Sequence, residues 1–291
     1  MVAALGLAND LVGVSHECDH PPEVRNKPVM VRTALDSEKV SSGDIDQQVR
    51  AALANGDPLY ALDETLFRQA QPDLVITQDL CHVCAVTPGQ LQAALHSLPR
   101  APTVLTLNPT RLDHVLTDVE RIGEAVGKAS ASRALSSSLR SRLESIRDQV
   151  APAATRPTVA CIEWLEPLFA AGHWVPEMVK WAGANDVLGV AGSPSEQITW
   201  DRLLAAEPEI LILMPCGFSI ERILHEIDRI ASHRDWSQLP AVRDGRVYAV
   251  DAGSYFSRPG PRLIDGVALL ATLCHPSLFE NVVPPGAYHI T

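Results

Sequence analysis

Two cysteines three residues apart, Cys81 and Cys84, lie in the stretch Gln78-Asp79-Leu80-Cys81-His82-Val83-Cys84. Together with Cys18 and His16 they offer soft donors of the kind that hold zinc or an iron–sulfur cluster. Thiols at a helix N-terminus also acquire lowered pKa values and can act in redox chemistry. Small buried cysteines are equally common as packing residues. All three roles stay open for Cys81 and Cys84, and Cys216 in the second half adds a further candidate metal ligand. His16 stands in Ser15-His16-Glu17-Cys18-Asp19-His20, where Glu17 can bind beside it; His20, followed by two prolines, reads as structural. Cys161, mid-strand, and Cys274, near the tail, read as packing.

A second set of residues suits a flat ligand. Trp164, Trp174, Tyr255 and Phe256 gather where strands of the second half end, and aromatic faces fit a planar macrocycle. Glu163, His173 and Arg258 accompany them. Arg258 can pair with a carboxylate or phosphate, and His173 can bind a metal.

The elements that must position these groups follow from local pattern. Pro72 to Thr77 is a short apolar, β-branched run that reads as a buried parallel strand. Thr87 can cap, and Pro88 can open, the helix that follows. Cys81 and Cys84 thus sit on the turn leaving the carboxyl end of a strand, where open α/β sheets bind ligands.

The chain also repeats itself. Ala8-Asn9-Asp10-Leu11-Val12-Gly13-Val14 returns as Ala184-Asn185-Asp186-Val187-Leu188-Gly189-Val190. Ala70-Gln71-Pro72-Asp73, a strand and Cys81 return as Ala206-Glu207-Pro208-Glu209, the strand Ile210 to Met214, and Cys216. Two patterns in one order imply two copies of an α/β unit, each with a helix–strand boundary at Ala-Asn-Asp. In the second copy that boundary is preceded by a strand, Thr158 to Trp164. Only Met1 to Ala8 precede it in the first copy, so the first strand of that lobe is expected to be missing, leaving a strand edge uncovered. The first copy carries extra material from Ser15 to about Asp63. It includes a helical stretch, Ile45 to Leu53, that Asn55-Gly56-Asp57-Pro58 breaks. Between the copies Leu112, Val115, Leu116, Val119 and Ile122 recur at helical spacing. A break at Gly127-Lys128 and a second helix from about Ser132 to Val150 follow. The second copy closes with the strand Arg246 to Asp251 and an apolar helix, Leu263 to Leu273.

The expected fold class is α/β. Two Rossmann-like lobes with mainly parallel sheets, residues 1–108 and 151–291, are joined by a long helix over 109–150, with a ligand cleft between them. A net charge of −11 argues against nucleic acid and anionic membrane surfaces as partners. No apolar run reaches the length of a bilayer-spanning helix. Met1 to Asp10 lacks the features of a signal peptide, so the cytosol is the expected location, or the periplasm if the N-terminus is truncated. No Gly-x-Ser-x-Gly elbow, Walker loop or Gly-x-Gly-x-x-Gly fingerprint is present, which favours binding over catalysis.

With these features the chain resembles the substrate-binding proteins of ABC importers for cobalamin and iron chelates. The likeness is carried by the paired Asn-Asp boundaries, the Pro72-Asp73-Leu74-Val75-Ile76 strand, Pro109-Thr110-Arg111-Leu112-Asp113 and Arg258-Pro259-Gly260-Pro261-Arg262. Ser15-His16-Glu17-Cys18-Asp19 and Asp79-Leu80-Cys81-His82-Val83-Cys84 look most like its cobalamin-binding branch. The resemblance implies a non-enzymatic protein that holds cobalamin, a related corrinoid or another small-molecule metal chelate. Its ligand-binding residues would be His16, Glu17, Gln78, Glu163, Trp164, His173, Trp174, Tyr255, Phe256 and Arg258, with an ABC transporter permease as partner if the protein is exported. The alternative on the same fold is a zinc or iron–sulfur protein ligated by Cys18, Cys81, Cys84 and Cys216.

Overall fold

The computed structural model describes residues 1–35, 40–78, 88–279 and 283–290. Cys81 and Cys84 lie outside the described residues. The chain divides into two compact units, Met1–Asn108 with Thr117–Ser136, and Pro109–Leu116 with Ser137–Thr291.

The first unit holds β1 (Val14–Ser15), β2 (Val29–Thr33), α1 (Ser42–Asn55), β3 (Tyr60–Leu62), α2 (Glu64–Ala70), β4 (Leu74–Gln78), α3 (Pro88–His96) and β5 (Thr103–Leu107). The extra material after Ser15 builds a small sheet in which β1 runs parallel and β3 antiparallel to β2. Ser41 caps α1 through a reciprocal capping box with Asp44, and Gly56, at φ 74°, ends it. β4 and β5 pair in parallel. Side chains alternate across β4. Val75 packs toward Met30, Phe67 and Ala94, and Ile76 toward Leu5, Leu107 and Ile122.

Two helices, α4 (Leu112–Ala125) and α5 (Ala129–Val150), form the connection, separated by Gly127 at φ 69°. The five apolar positions of α4 picked out by spacing are at most 2% exposed. Each contributes about 1.5–3 kcal/mol relative to remaining in water.

The second unit contains β6 (Thr158–Leu165), β7 (Leu168–Ala170), α6 (Val175–Trp181), β8 (Asn185–Asp186), β9 (Glu196–Gln197), α7 (Trp200–Ala205) and β10 (Ile210–Leu213). It continues with α8 (Ile220–Glu226), α9 (Asp228–Ala231), α10 (Pro240–Arg243), β11 (Val247–Val250), α11 (Ala252–Tyr255), α12 (Leu263–Cys274) and β12 (Ala287–Ile290). Its sheet runs in the order β12-β11-β10-β6-β7-β9, with β8 beside β6. Only its centre is parallel: β6, β8, β10 and β11 share a direction, while β7, β9 and β12 oppose their neighbours. The expectation of mainly parallel sheets is therefore corrected, because Glu166-Pro167 turns the chain straight back and makes β6 and β7 a hairpin.

The repeated stretches lie in different surroundings in the two units. Its second Asn-Asp pair forms β8 because β6 lies alongside to receive it. Asn9 and Asp10 form a turn. All four residues of β10 are buried between β6 and β11. Its counterpart β4 is half-buried throughout and, among the described residues, pairs with β5 alone. No helix among the described residues is long and apolar enough to cross a membrane.

Candidate functional site

In the second unit the carboxyl ends of β6, β10 and β11 converge. The register of β6 against β7 shifts between Ile162 and Trp164, so Glu163 occupies a bulge that re-aims its side chain. Its Oε1 accepts the Ser195 hydroxyl at 2.8 Å, and its Oε2 accepts the Gly172 N–H at 3.4 Å. The Glu163 carbonyl accepts the Cys216 N–H at 3.0 Å, joining the β6 and β10 ends.

After β10 the chain turns through Pro215, Cys216 and Gly217, the last at φ 76°, where a side chain would be strained. Cys216 lies exposed on that turn. Gly217 donates its N–H to the Ser257 hydroxyl at 3.0 Å, and the Phe218 carbonyl accepts the Ala252 N–H at 3.1 Å. These bonds fasten the β10 turn to the segment after β11. Asp251 caps that segment by accepting the Ser254 N–H at 2.9 Å.

The four aromatic candidates divide by environment. Trp164 is half-buried and meets Phe218 edge-on, ring centroids 5.3 Å apart; the Arg222 guanidinium lies 4.9 Å from the same Phe218 ring. Tyr255 is also half-buried, with Gly286 packed against its ring edge. Trp174 and Phe256 are 4% and 2% exposed, and the Trp174 indole N–H donates to the Phe256 carbonyl at 2.8 Å. Both therefore belong to the lobe's interior. Arg258 is half-buried, with Nη2 3.1 Å from where a β-carbon on Gly253 would stand.

His173 follows Gly172 in the left-handed region, at φ 50°. Its N–H donates to the Ser193 carbonyl at 2.6 Å, and its carbonyl accepts the Gly192 N–H at 2.8 Å. Burial pushes its imidazole pKa below the ordinary value, favouring the neutral ring. A cavity of about 290 Å³ lies beside this loop, lined among others by Ala171, Leu188, Ser193 and Ser195. That volume suits a small solute rather than a macrocycle.

Beneath this wall, Glu177 of α6 accepts the Leu112 N–H through Oε2 and the Arg111 Nη1 through Oε1, both at 2.8 Å. Arg111 also donates to the Ala191 carbonyl at 3.2 Å. The clamp fixes the start of α4 within the second unit.

In the first unit His16 leaves β1 with its N–H on the Val31 carbonyl at 2.9 Å. Its Nε2 is 3.3 Å from Glu17 Oε1, and its ring lies 5.8 Å from Tyr60. Cys18 is exposed, its sulfur 3.5 Å from the Ser15 hydroxyl. Gln78 ends β4 opposite Leu107. Among the described residues no three His, Cys, Asp or Glu side chains stand close enough to hold a metal ion. Cys161 and Cys274 are buried thiols whose pKa values burial raises, that of Cys274 to about 12.

Ser195, Arg222 and Tyr60 carry no signal in the sequence, whereas Phe218 belongs to the post-strand turn Pro215-Cys216-Gly217-Phe218, a candidate wall by its position after a strand.

A family profile described as "Periplasmic binding protein" matches residues 1–253. An uncharacterized ABC transporter substrate-binding lipoprotein, YvrC of Bacillus subtilis (strain 168), is 26% identical over 285 residues, 96% of this chain and 77% of that protein. The periplasmic heme-binding protein RhuT from Roseiflexus sp. RS-1, in apo form, superposes with a TM-score of 0.72 at 19% identity, covering 96% of this chain and 94% of that one. The periplasmic vitamin B12 binding protein BtuF of Vibrio cholerae does so with a TM-score of 0.67 at 20% identity, covering 95% and 92%. These likenesses establish a two-lobe α/β fold with helical connections. They also overturn the expected cytosolic location, since the matching family and the superposed structures are periplasmic binding proteins. The cytosolic expectation rested on what Met1 to Asp10 lack, a weaker ground than a match across most of the chain.

Proposed function

The chain belongs to the periplasmic binding protein family, and from that premise we propose that it holds a macrocyclic metal chelate, a corrinoid or a haem, for delivery to an ABC transporter permease. The family is one of non-catalytic substrate-binding proteins of ABC importers for small-molecule metal chelates. Corrinoid and haem share a planar, largely apolar ring, a metal centre and acidic or amide arms. Trp164, held edge-on by Phe218, would lie against the ring. Tyr255 would extend that aromatic surface, and Arg258 would pair with an acidic arm. Glu163 and Cys216, bonded to one another through the backbone, would flank the metal-bearing centre.

One observation carries this reading. The half-buried aromatics Trp164 and Tyr255 and the cation Arg258 all sit at the carboxyl ends of β6 and β11. Proteins of the same fold include both heme and vitamin B12 binding proteins, which supports the choice of ligand class. Cobalamin, the narrower form of the proposal, is supported by the sequence likeness of Ser15 to Asp19 to the cobalamin-binding branch.

Titration of the protein with aquocobalamin, haemin and a ferric hydroxamate, followed by visible absorption and calorimetry, tests the proposal. Saturable one-site binding of a macrocycle at micromolar concentration or tighter is expected. Binding of the hydroxamate alone, or of none of the three, removes it.

A further inference from the structure

We propose that Arg222 sets the angle of the Trp164 ring, and with it the affinity for a planar ligand, acting through Phe218 and held in turn by the buried carboxylate of Glu226. This deepens the chelate-binding reading and rests on it.

Trp164 stands where its strand is irregular. It is the last residue but one of β6, just beyond the bulge at Glu163, and it is half-buried. Phe218 meets its ring edge-on, with the centroids 5.3 Å apart.

Phe218 is a firm support. It is buried, its N–H donates to the Pro215 carbonyl at 2.9 Å, and its own carbonyl accepts the Ala252 N–H at 3.1 Å. Ser219 then caps α8 by accepting the Arg222 N–H at 3.3 Å. The cap places Arg222 one helical turn beyond Phe218, where the guanidinium carbon lies 4.9 Å from the centre of the phenyl ring.

The guanidinium is itself held. Glu226, one turn further along α8, is 6% exposed, and its Oε1 accepts Arg222 Nε at 3.1 Å and Nη2 at 2.9 Å. Its Oε2 lies 3.8 Å from Arg229 Nε, and Arg229 Nη1 donates to Glu166 Oε2 at 2.8 Å. Glu166 follows Trp164 by two residues, at the turn between β6 and β7. One carboxylate therefore ties down both the ring and the strand end of Trp164. It reaches the ring through Arg222 and Phe218, and the strand end through Arg229 and Glu166.

Helix stability does not account for this placement. A cation in the first turn of a helix opposes the helix dipole. A buried ion pair gains little over apolar residues of the same volume, because both charges lose their water. Two locally unfavourable choices within α8 lead to one aromatic ring on the strand-end wall, and such departures concentrate where a site is held in shape.

The test replaces the ion pair by an apolar pair, Arg222→Met with Glu226→Met in one chain, in the wild-type and in the Trp164→Leu background. The apolar pair should unfold at a urea midpoint close to that of wild type. The near-ultraviolet circular dichroism band of Trp164, taken as wild type minus Trp164→Leu, should be largely lost in the ligand-free protein. Affinity for haemin and for aquocobalamin, read by visible absorption, should fall about threefold to tenfold, the span of one edge-on aromatic contact. In the Trp164→Leu background the same change should cost no further affinity. Arg222→Lys keeps a cation beside Phe218 and a partner for Glu226, and should retain the band and most of the affinity. A Trp164 band at wild-type strength in the apolar pair, or a loss of affinity that adds in full to that of Trp164→Leu, would overturn the role of Arg222 while leaving chelate binding intact. Failure of wild type to bind either macrocycle would overturn the binding proposal, and this one with it.

Discussion

Replacing Trp174 by phenylalanine separates the aromatic residues that hold the wall together from those that meet a ligand. The indole is 4% exposed and its N–H is spent on the Phe256 carbonyl at 2.8 Å. Removing that donor leaves a buried carbonyl unsatisfied, which costs about 1–3 kcal/mol. The smaller ring leaves unfilled volume worth about 1–2 kcal/mol more. The sum, about 2–5 kcal/mol, is a large fraction of the stability of an ordinary domain. Urea unfolding followed by far-ultraviolet circular dichroism should therefore show a much lower midpoint with an unchanged slope. At a temperature where the variant remains folded, its affinity for a macrocycle should change by less than about threefold, equivalent to well under 1 kcal/mol. Trp164→Leu should behave in the opposite way. Its ring is half-buried and its edge-on contact with Phe218 is worth about 0.5–1.5 kcal/mol, so stability should fall little while affinity falls at least about tenfold. Native stability with abolished binding in Trp174→Phe would show that the buried-anchor argument is wrong.

Glu177→Ala should lower stability by about 1–2 kcal/mol, because Leu112 loses the acceptor for its helix-terminal N–H and Arg111 loses its ion pair. The ion pair adds little of this, since the guanidinium is largely exposed. A denaturation midpoint equal to wild type would contradict the clamp. Burial depresses the pKa values of His173 and His275, so the unfolded chain binds more protons than the folded one below the ordinary histidine value of about 6.5. Stability should accordingly fall as pH drops through about 6.5 toward the folded values, and His173→Asn should flatten that fall in melts taken from pH 7.5 to 5. A wild-type curve no steeper than the variant's would refute the sign. Native protein should yield fast reaction of Cys18 and Cys216 with a thiol reagent, each lost in its serine variant, while Cys161 and Cys274 should react only on unfolding. Fast labelling of Cys274 in the folded protein would contradict its burial.

Periodicity made much of the scaffold legible. The spacing of Leu112, Val115, Leu116, Val119 and Ile122 reported one buried helical stripe, and each side chain is buried. The apolar run at Ile210 to Met214 reported a strand, and all five residues are buried. Gly56 marked the end of α1 because glycine alone accepts its φ of 74° without cost. Residue type could not separate Trp164 from Trp174, since both are aromatic and stand near strand ends, and only packing decides which indole is spent internally. The bulge at Glu163 was hidden too, because it depends on how β7 pairs, and β7 itself is a three-residue return that resembles a loop. Ser195 reaches Glu163 from 32 residues away, a distance at which single-sequence patterns carry no signal. The cytosolic expectation fails on similar grounds, since Met1 to Asp10 is a short local stretch while the family match spans residues 1–253.

The most direct measurement is anomalous scattering at the iron edge from crystals of the protein grown with haemin. A single peak is predicted at the carboxyl ends of β6, β10 and β11, with the macrocycle against Trp164 and an acidic arm toward Arg258. A metal peak remote from the carboxyl ends of β6, β10 and β11 would contradict the account.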